Sequence, residues 1–358
     1  MPDSAAPARS APTLELEPMP PELTTIQPGG GPIMRLELAW GGVRRWWLKT
    51  FRKGYVERMR RLRKGDRNPT PHEVLDPRDV KYYENRPGGY YWEVEDDPFS
   101  WRSGLLFARW GLAELVVFTV LLVGIPTLIH FAVALSAVVN LTNDPSIQVD
   151  EHALSAWHWW LLNVCRLLSF VSLIAWAFVV YFFRDPHRKP DNEPGDIVSP
   201  ADGTVAEISE YEHHPFIGGP AVKVGIFLSI FNVHVNRFPM TGRVVGLAYK
   251  RGKYLNALKP ESALENEQLH VRLVTTDPAD GPPRKMVIHL IAGLIARRIV
   301  CILKPGDDLH RGERIGMIKL GSRTEIVMPK EPGLQVLVKV GEKVHGGATV
   351  IAEYVGEA

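Results

Sequence analysis

Cysteine is almost absent: the 358 residues hold only Cys165 and Cys301, far apart. That excludes a disulfide framework and a cysteine-rich zinc site, and both thiols read as small buried hydrophobes. No metal site is expected. Charge of one sign is lacking too, with 42 Lys+Arg against 40 Asp+Glu, so only the distribution of charge is informative. The first residues have no basic start followed by an apolar run, so no secretory signal peptide is expected. A Gly-x-Ser-x-Gly elbow, the mark of one large class of serine hydrolases, is missing as well. Apolar residues make up an ordinary 45%, but they are gathered into two blocks. At this length two or more domains are expected.

Residues 1–34 are rich in Pro, Ala, Glu and Gly without a period, the composition of a disordered tail. Residues 35–104 form a basic, interfacial region. Within it, 43–67 holds 11 Lys/Arg and two acids, interleaved with Trp46, Trp47, Phe51, Tyr55, Met59 and Leu62. Steps of three and four would gather those apolar groups on one helix face. Such a helix suits an anionic membrane surface, which is favoured here over nucleic acid. The prolines and glycines of 68–100 suggest polar loop.

Residues 105–184 read as a membrane hairpin of two helices. Leu115–Val139 carries one ionisable side chain, His130, and Pro126 is expected to bend it; Trp159–Phe183 is broken only by Arg166. Each is long enough for a bilayer core of about 30 Å. The linker holds Asp144, Asp150 and Glu151 without Lys or Arg, whereas Arg102, Arg109, Arg184, Arg188 and Lys189 flank the outer ends. Both ends are therefore expected in the cytoplasm, placing the chain in the inner membrane with its C-terminal domain on the cytoplasmic side. His130 reads as a helix–helix hydrogen bond, and Arg166 must snorkel or find a partner.

From residue 185 the texture changes to short β-type runs and turns. The fold class expected for 185–358 is mainly β (α+β), of barrel-sandwich type with lipoyl-like hairpins, preceded by the α-helical transmembrane hairpin. Near its end stands Gly321-Ser322, set between Ile318 and Leu320 on one side and Ile326 and Met328 on the other. A glycine in a strand pattern marks a bulge or a close backbone approach, where a hydroxyl can be bent back on the preceding carbonyl.

Several further stretches accompany that step, in order: Phe183-Arg184-Asp185-Pro186, Ser199-Pro200-Ala201-Asp202-Gly203-Thr204, Asn232-Val233-His234-Val235-Asn236-Arg237, Glu265-Asn266-Glu267 and Ile291 to Arg298. Together they resemble the phosphatidylserine decarboxylase family in its shorter form, over about half of the chain. The resemblance implies a membrane enzyme that turns phosphatidylserine into phosphatidylethanolamine and CO2. It also implies a covalent pyruvoyl group made from Ser322, with no pyridoxal phosphate. Ser322 would attack the Gly321 carbonyl, and β-elimination and hydrolysis would leave a β chain, 1–321, and an α chain, 322–358. A carbonyl of this kind condenses with the substrate amine and takes up the electrons left by CO2.

Within that resemblance His234 is the candidate base and later acid, and Asp202 its orienting carboxylate in a Ser-His-Asp arrangement. Longer members carry a second histidine where this chain has Arg237, and threonine where it has Arg323. Arg237 and Asn236 are candidates for substrate binding. Glu265 and Glu267 are placed near the site, and His289 is read as structural. A homodimer is left open, and no nucleic-acid partner is expected. Two rivals remain. One is a membrane-tethered lipoyl-like carrier, which would need a lysine at a hairpin tip, a setting Lys339 and Lys343 do not offer. The other is a hydrolase using Ser322, His234 and Asp202, which would remain one chain.

Overall fold

A computed structural model describes residues 15–355 apart from 66–72, 74, 87–88, 103–105, 144–155, 191–192, 256–261, 295–297 and 320. The first fourteen residues of the expected tail, the acidic linker and Leu320 lie outside the described residues.

Three helices come first: α1 (Pro32–Phe51), α2 (Lys53–Leu62) and α3 (Pro77–Tyr82). Then α4 (Leu112–Thr119), a π-helical turn (Val120–Gly124) and α5 (Ile125–Asn143) run on as one rod, beside which α6 (Ala156–Phe182) returns. The most apolar 18 residues of the spans Arg109–Val139 and Trp157–Phe182 have mean hydropathies of 2.4 and 2.0, and only 11% and 6% of those residues are buried. They are long and apolar enough to cross a membrane. Their pairing follows from Pro126, which has no N–H to give the Leu122 carbonyl one turn back. The Ser172 hydroxyl on α6 donates to that carbonyl instead. Trp176 Nε1 adds a second bond to Thr119 Oγ1 at 2.9 Å. The helix–helix bonds thus come from Ser172 and Trp176. His130, expected in that part, has no partner for Nδ1. Arg166 is exposed on α6.

The rest is mainly β, with the short helix α7 (Ser262–Glu265). In chain order the strands are β1 (Asp196–Val198), β2 (Gly203–His214), β3 (Gly219–Leu228), β4 (Val235–Arg237), β5 (Gly242–Lys250), β6 (Gln268–Thr275) and β7 (Lys285–Ala292). They continue as β8 (Ile299–Cys301), β9 (Asp308–Leu309), β10 (Arg314–Ile318), β11 (Ser322–Pro329), β12 (Leu334–Val336), β13 (Lys343–Val344) and β14 (Val350–Tyr354). An eight-stranded sheet has the order β13-β2-β3-β11-β7-β6-β5-β9; two three-stranded sheets run β1-β14-β12 and β4-β10-β8.

Strand β11 lies in the middle of the large sheet, antiparallel to β3 and β7 on either side. Its side chains alternate with the period of two of a pleated strand. Ile326 and Met328 enter the main core with Ile226, Leu228, Ile288 and Leu290, whereas Val327 packs on the other face with Ala221 and Val287. Burying each large aliphatic side chain contributes roughly 1.5–3 kcal/mol. A cut before Ser322 would leave β11 to β14 paired with strands of the longer piece.

Two expectations need correction. Residues 15–34 are packed, not a loose tail: Leu23 and Ile26 are buried, and Ile26 accepts a hydrogen bond from Cys301 N–H at 2.8 Å. The apolar side chains are few, but each enters a core, and the strand edges satisfy the backbone. The basic stretch 43–67 is not one helix. It breaks at Arg52 (φ −127°, ψ 41°), because its two halves have different partners. Trp46, Trp47 and Phe51 stay exposed, while Val56 and Met59 turn into a small core with Leu48, Leu75, Tyr83, Trp92 and Phe99. The described part of 68–100 therefore supplies core aromatics.

Gly316 marks how tightly the small sheet is built. At φ +155°, a Cβ there would lie 1.9 Å from the Val300 carbonyl oxygen of β8. Gly316→Ala should destabilise the protein by about 3 kcal/mol or more, read as a lowered unfolding midpoint of the detergent-solubilised protein.

Candidate functional site

The turn from β10 to β11 brings Gly321 and Ser322 beneath β4. Gly321 has φ +60°, a left-handed conformation that costs other residues roughly 1–2 kcal/mol, and a Cβ there would meet nothing within 4 Å. Open space therefore lies beside the peptide bond between Gly321 and Ser322. Ser322 itself is fully buried, and among the described residues its hydroxyl has no hydrogen-bond partner. An orphaned buried hydroxyl costs roughly 1–3 kcal/mol. Such a group is free to turn on the neighbouring carbonyl.

His234, immediately before β4, is fully buried. Its Nδ1 lies 3.0 Å from the Asn232 carbonyl oxygen, which can only accept, so Nδ1 carries the proton. Nε2 is then an acceptor, and it receives the Gly321 N–H at 3.2 Å. The imidazole ring packs on Phe182, the last residue of α6, with centroids 4.5 Å apart. Burial pushes its pKa down to about 4, a shift that the Asn232 hydrogen bond opposes and the Arg184 charge reinforces. Imidazole is therefore neutral at pH 7, as a proton acceptor must be.

The expected arrangement of Asp202 behind His234 does not form. Asp202 accepts from Gly346 N–H at 2.7 Å and Arg188 at 3.0 Å, and sits 3.4 Å from His345 Nδ1. The orienting acceptor for His234 is the Asn232 carbonyl, two residues away. Nor does His234 bond to the Ser322 hydroxyl; it holds the backbone of the residue before it.

Arg237 is also placed differently from expectation. Its guanidinium donates to Asp185 at 2.9 Å and to the carbonyls of Pro186 and Gly312 at 3.0 Å, and it is buried. These three bonds, out of five N–H donors, lock the segment after α6 onto the sheet domain. Asn236 donates to Thr324 Oγ1 at 2.9 Å, tying β4 to the residue two past Ser322, while its Oδ1 has no partner among the described residues. Arg323 and Glu325 point to the opposite face of β11. There Arg323 pairs with Glu207 and Glu325, and Glu325 with His289, which stacks on His270. This cluster explains why arginine is accommodated after the serine, and it takes in His289 on the face away from Ser322. Glu267 is buried on Tyr254 Oη at 2.6 Å, and its carbonyl accepts from Ala292, the cross-strand partner of Ser322; Glu265 is exposed.

Two contacts with the helical region carry no motif and escaped sequence reasoning. One is Phe182 on His234. The other is a buried ion pair between Glu114, in the first turn of α4, and Lys319, just ahead of Gly321. An acid at the head of an apolar run was the available signal for the second.

Because burial lowers the His234 pKa from 6.5 to about 4, protonation favours the unfolded chain between those values. Stability from this group is complete above pH 6.5 and falls as pH drops toward 4. In thermal unfolding, Ser322→Ala should lose stability over that window more steeply than Ser322→Ala/His234→Gln.

Comparison with known proteins agrees with this geometry. The sequence model of the phosphatidylserine decarboxylase family matches residues 176–352. The chain is 46% identical over 275 residues to the phosphatidylserine decarboxylase proenzyme of Rhodopirellula baltica, covering 77% of this chain and 99% of that one. A match of that length takes in both apolar helices wherever it begins. The proenzyme of Desulfotalea psychrophila is 40% identical over 191 residues, 53% of this chain and 86% of its own. That of Carboxydothermus hydrogenoformans is 43% identical over 189, or 53% and 85%. With a buried Gly-Ser step under a neutral histidine and relatives matched over nearly their whole length, the chain belongs to the phosphatidylserine decarboxylase family.

Proposed function

We propose that this chain is a proenzyme that cuts itself between Gly321 and Ser322 and then converts phosphatidylserine to phosphatidylethanolamine and CO2. The observation that carries the reading is the buried, unbonded Ser322 hydroxyl beside a left-handed Gly321 whose N–H is fixed by His234. The printed names of the relatives support the substrate and the precursor state.

In the first step the Ser322 oxygen bonds to the Gly321 carbonyl carbon as the C–N bond breaks. Loss of the Ser322 α-proton then breaks the Cβ–O bond and releases Gly321 as a carboxylate. Water converts the enamine left on residue 322 to a ketone and frees ammonia. His234 steadies the Gly321 peptide through its N–H, and its neutral Nε2, once released from that N–H, can accept a proton. The resulting pyruvoyl carbonyl supplies the electron sink that CO2 loss requires.

Cleavage also changes His234. A new carboxylate on Gly321 lies next to Nε2, and a nearby anion raises an imidazole pKa. The group that is a buried acceptor in the precursor becomes a better proton donor in the mature enzyme, which suits protonation of the substrate α-carbon. One histidine can then serve both steps, though Arg237 stands where longer members have a second. Asn236 meets the substrate through its unpartnered Oδ1. Asp202 holds the 345–347 turn.

The catalytic domain lies on the cytoplasmic face of the inner membrane, a reading supported by the basic residues at the outer ends of both apolar helices. The hairpins around β12–β14 support the barrel-sandwich form. In intact-mass analysis the wild type should give two pieces separated at residue 322, the shorter bearing a carbonyl that reacts with hydroxylamine. Ser322→Ala should stay one chain with activity lowered at least about 10³-fold. A full-length wild-type chain that still releases CO2 from phosphatidylserine would remove the proposal.

A further inference from the structure

A cavity of about 650 Å3 opens between α1, α3 and the start of α4. Its lining lies outside residues 176–352, which the family's sequence model matches, and does not include Ser322. Leu36, Trp40, Trp101 and Val116 line it, and all four are among the exposed large hydrophobics. The volume is in the range of small-molecule sites. Apolar surface of this kind, open beside a helix entering a bilayer, suits an acyl chain.

Charge selects the head group. Among the lining groups, Glu37 is neutralised by Lys81, and Arg109 pairs with Glu84 at 2.8 Å. Arg44 and Arg102 remain. Both guanidiniums stand over the Phe99 ring, at 5.9 and 4.3 Å, and Arg102 donates to the Val80 carbonyl. Among the described residues neither has a carboxylate at ion-pair distance. Burial, with the charges of Arg109 and Arg44, pushes the Arg102 pKa down to about 9, outweighing the attraction of Glu84 and Asp97. Bringing two cations together at a half-buried rim is unfavourable unless an anion joins them. The contrast is a neighbouring cavity of about 400 Å3, where Arg86, Arg188, Arg237 and Arg314 all hold carboxylates.

We infer that this groove holds one acidic glycerophospholipid of the surrounding bilayer, its phosphate between Arg44 and Arg102 and an acyl chain along Leu36, Trp40 and Val116. Guanidinium forks match phosphate oxygens bidentately, and a quaternary ammonium head group would be repelled at the same place. The site is separate from the one where the substrate reacts. It anchors α1 to the start of the first apolar helix, whose Glu114 reaches Lys319 ahead of the scissile bond.

The inference rests on the membrane reading above and is tested without decarboxylation. The processed full-length protein in mild detergent is mixed with equal phosphatidylglycerol and phosphatidylcholine of the same chains, and bound lipid is counted by native mass spectrometry. Wild type should retain one phosphatidylglycerol, preferred about tenfold or more. Arg44→Gln/Arg102→Gln should lose that preference, while Arg243→Gln, on a distant surface pair, should keep it. Self-cleavage, read in the same spectrum, certifies the fold of the variant; should the double variant not fold, Arg44→Glu alone is read the same way. Equal retention by variant and wild type, or no preference in the wild type, overturns the inference. A chain recovered in the soluble fraction would instead overturn the membrane reading.

Discussion

For the self-cleavage proposed above, the serine has to be dry, fixed and next to a carbonyl it can reach. Here those conditions follow from one placement: Ser322 is the first residue of a strand in the middle of an eight-stranded sheet. Leu228 and Ala292 flank it across the ladder, so water is excluded and the backbone beyond it cannot shift. Gly321, just outside the ladder, keeps a left-handed conformation with free space around it. Rigidity on one side of the peptide bond and room on the other is the geometry that an acyl shift requires. Because β11 is central, the same placement holds the two products together.

The two apolar helices also reach the candidate site. Phe182, where α6 ends, forms part of the wall that keeps His234 neutral. Glu114, where α4 begins, holds Lys319. Arg237 and Arg314 grip Asp185, immediately after α6, and so fasten the exit of the hairpin to the sheet domain. The site therefore depends on where both apolar helices meet the β region. Breaking any of these buried pairs leaves a charge without its partner, the costly case for ions away from water.

Much of this was legible from residue order. Apolar run length revealed the two helices, alternation revealed most strands, and the ordered motifs pointed to Ser322 and His234. The failures have a common cause. Residues 15–34 look unable to fold because their buried apolar side chains, Leu23, Ile26 and Met34, are too few to form a pattern; they gain order from a core built elsewhere. Asp202 and Arg237 carry the right chemistry, yet their side-chain partners lie 14 to 144 residues away in the chain for Asp202 and 51 to 75 for Arg237. Spacing along the chain cannot show which carboxylate meets which cation.

Local order alone determined that this protein has two bilayer-length helices, a β-rich C-terminal half and a Gly-Ser step in strand surroundings, because hydrophobic period and glycine are read from neighbours in the chain. Tertiary structure decided what faces the reacting bond. Desolvation of His234 by Phe182, selection of the Asn232 carbonyl in place of Asp202, and the unpaired Arg44 and Arg102 all depend on distances between segments far apart in sequence. Burial and charge balance are properties of the assembled surface, and no window of residues contains them.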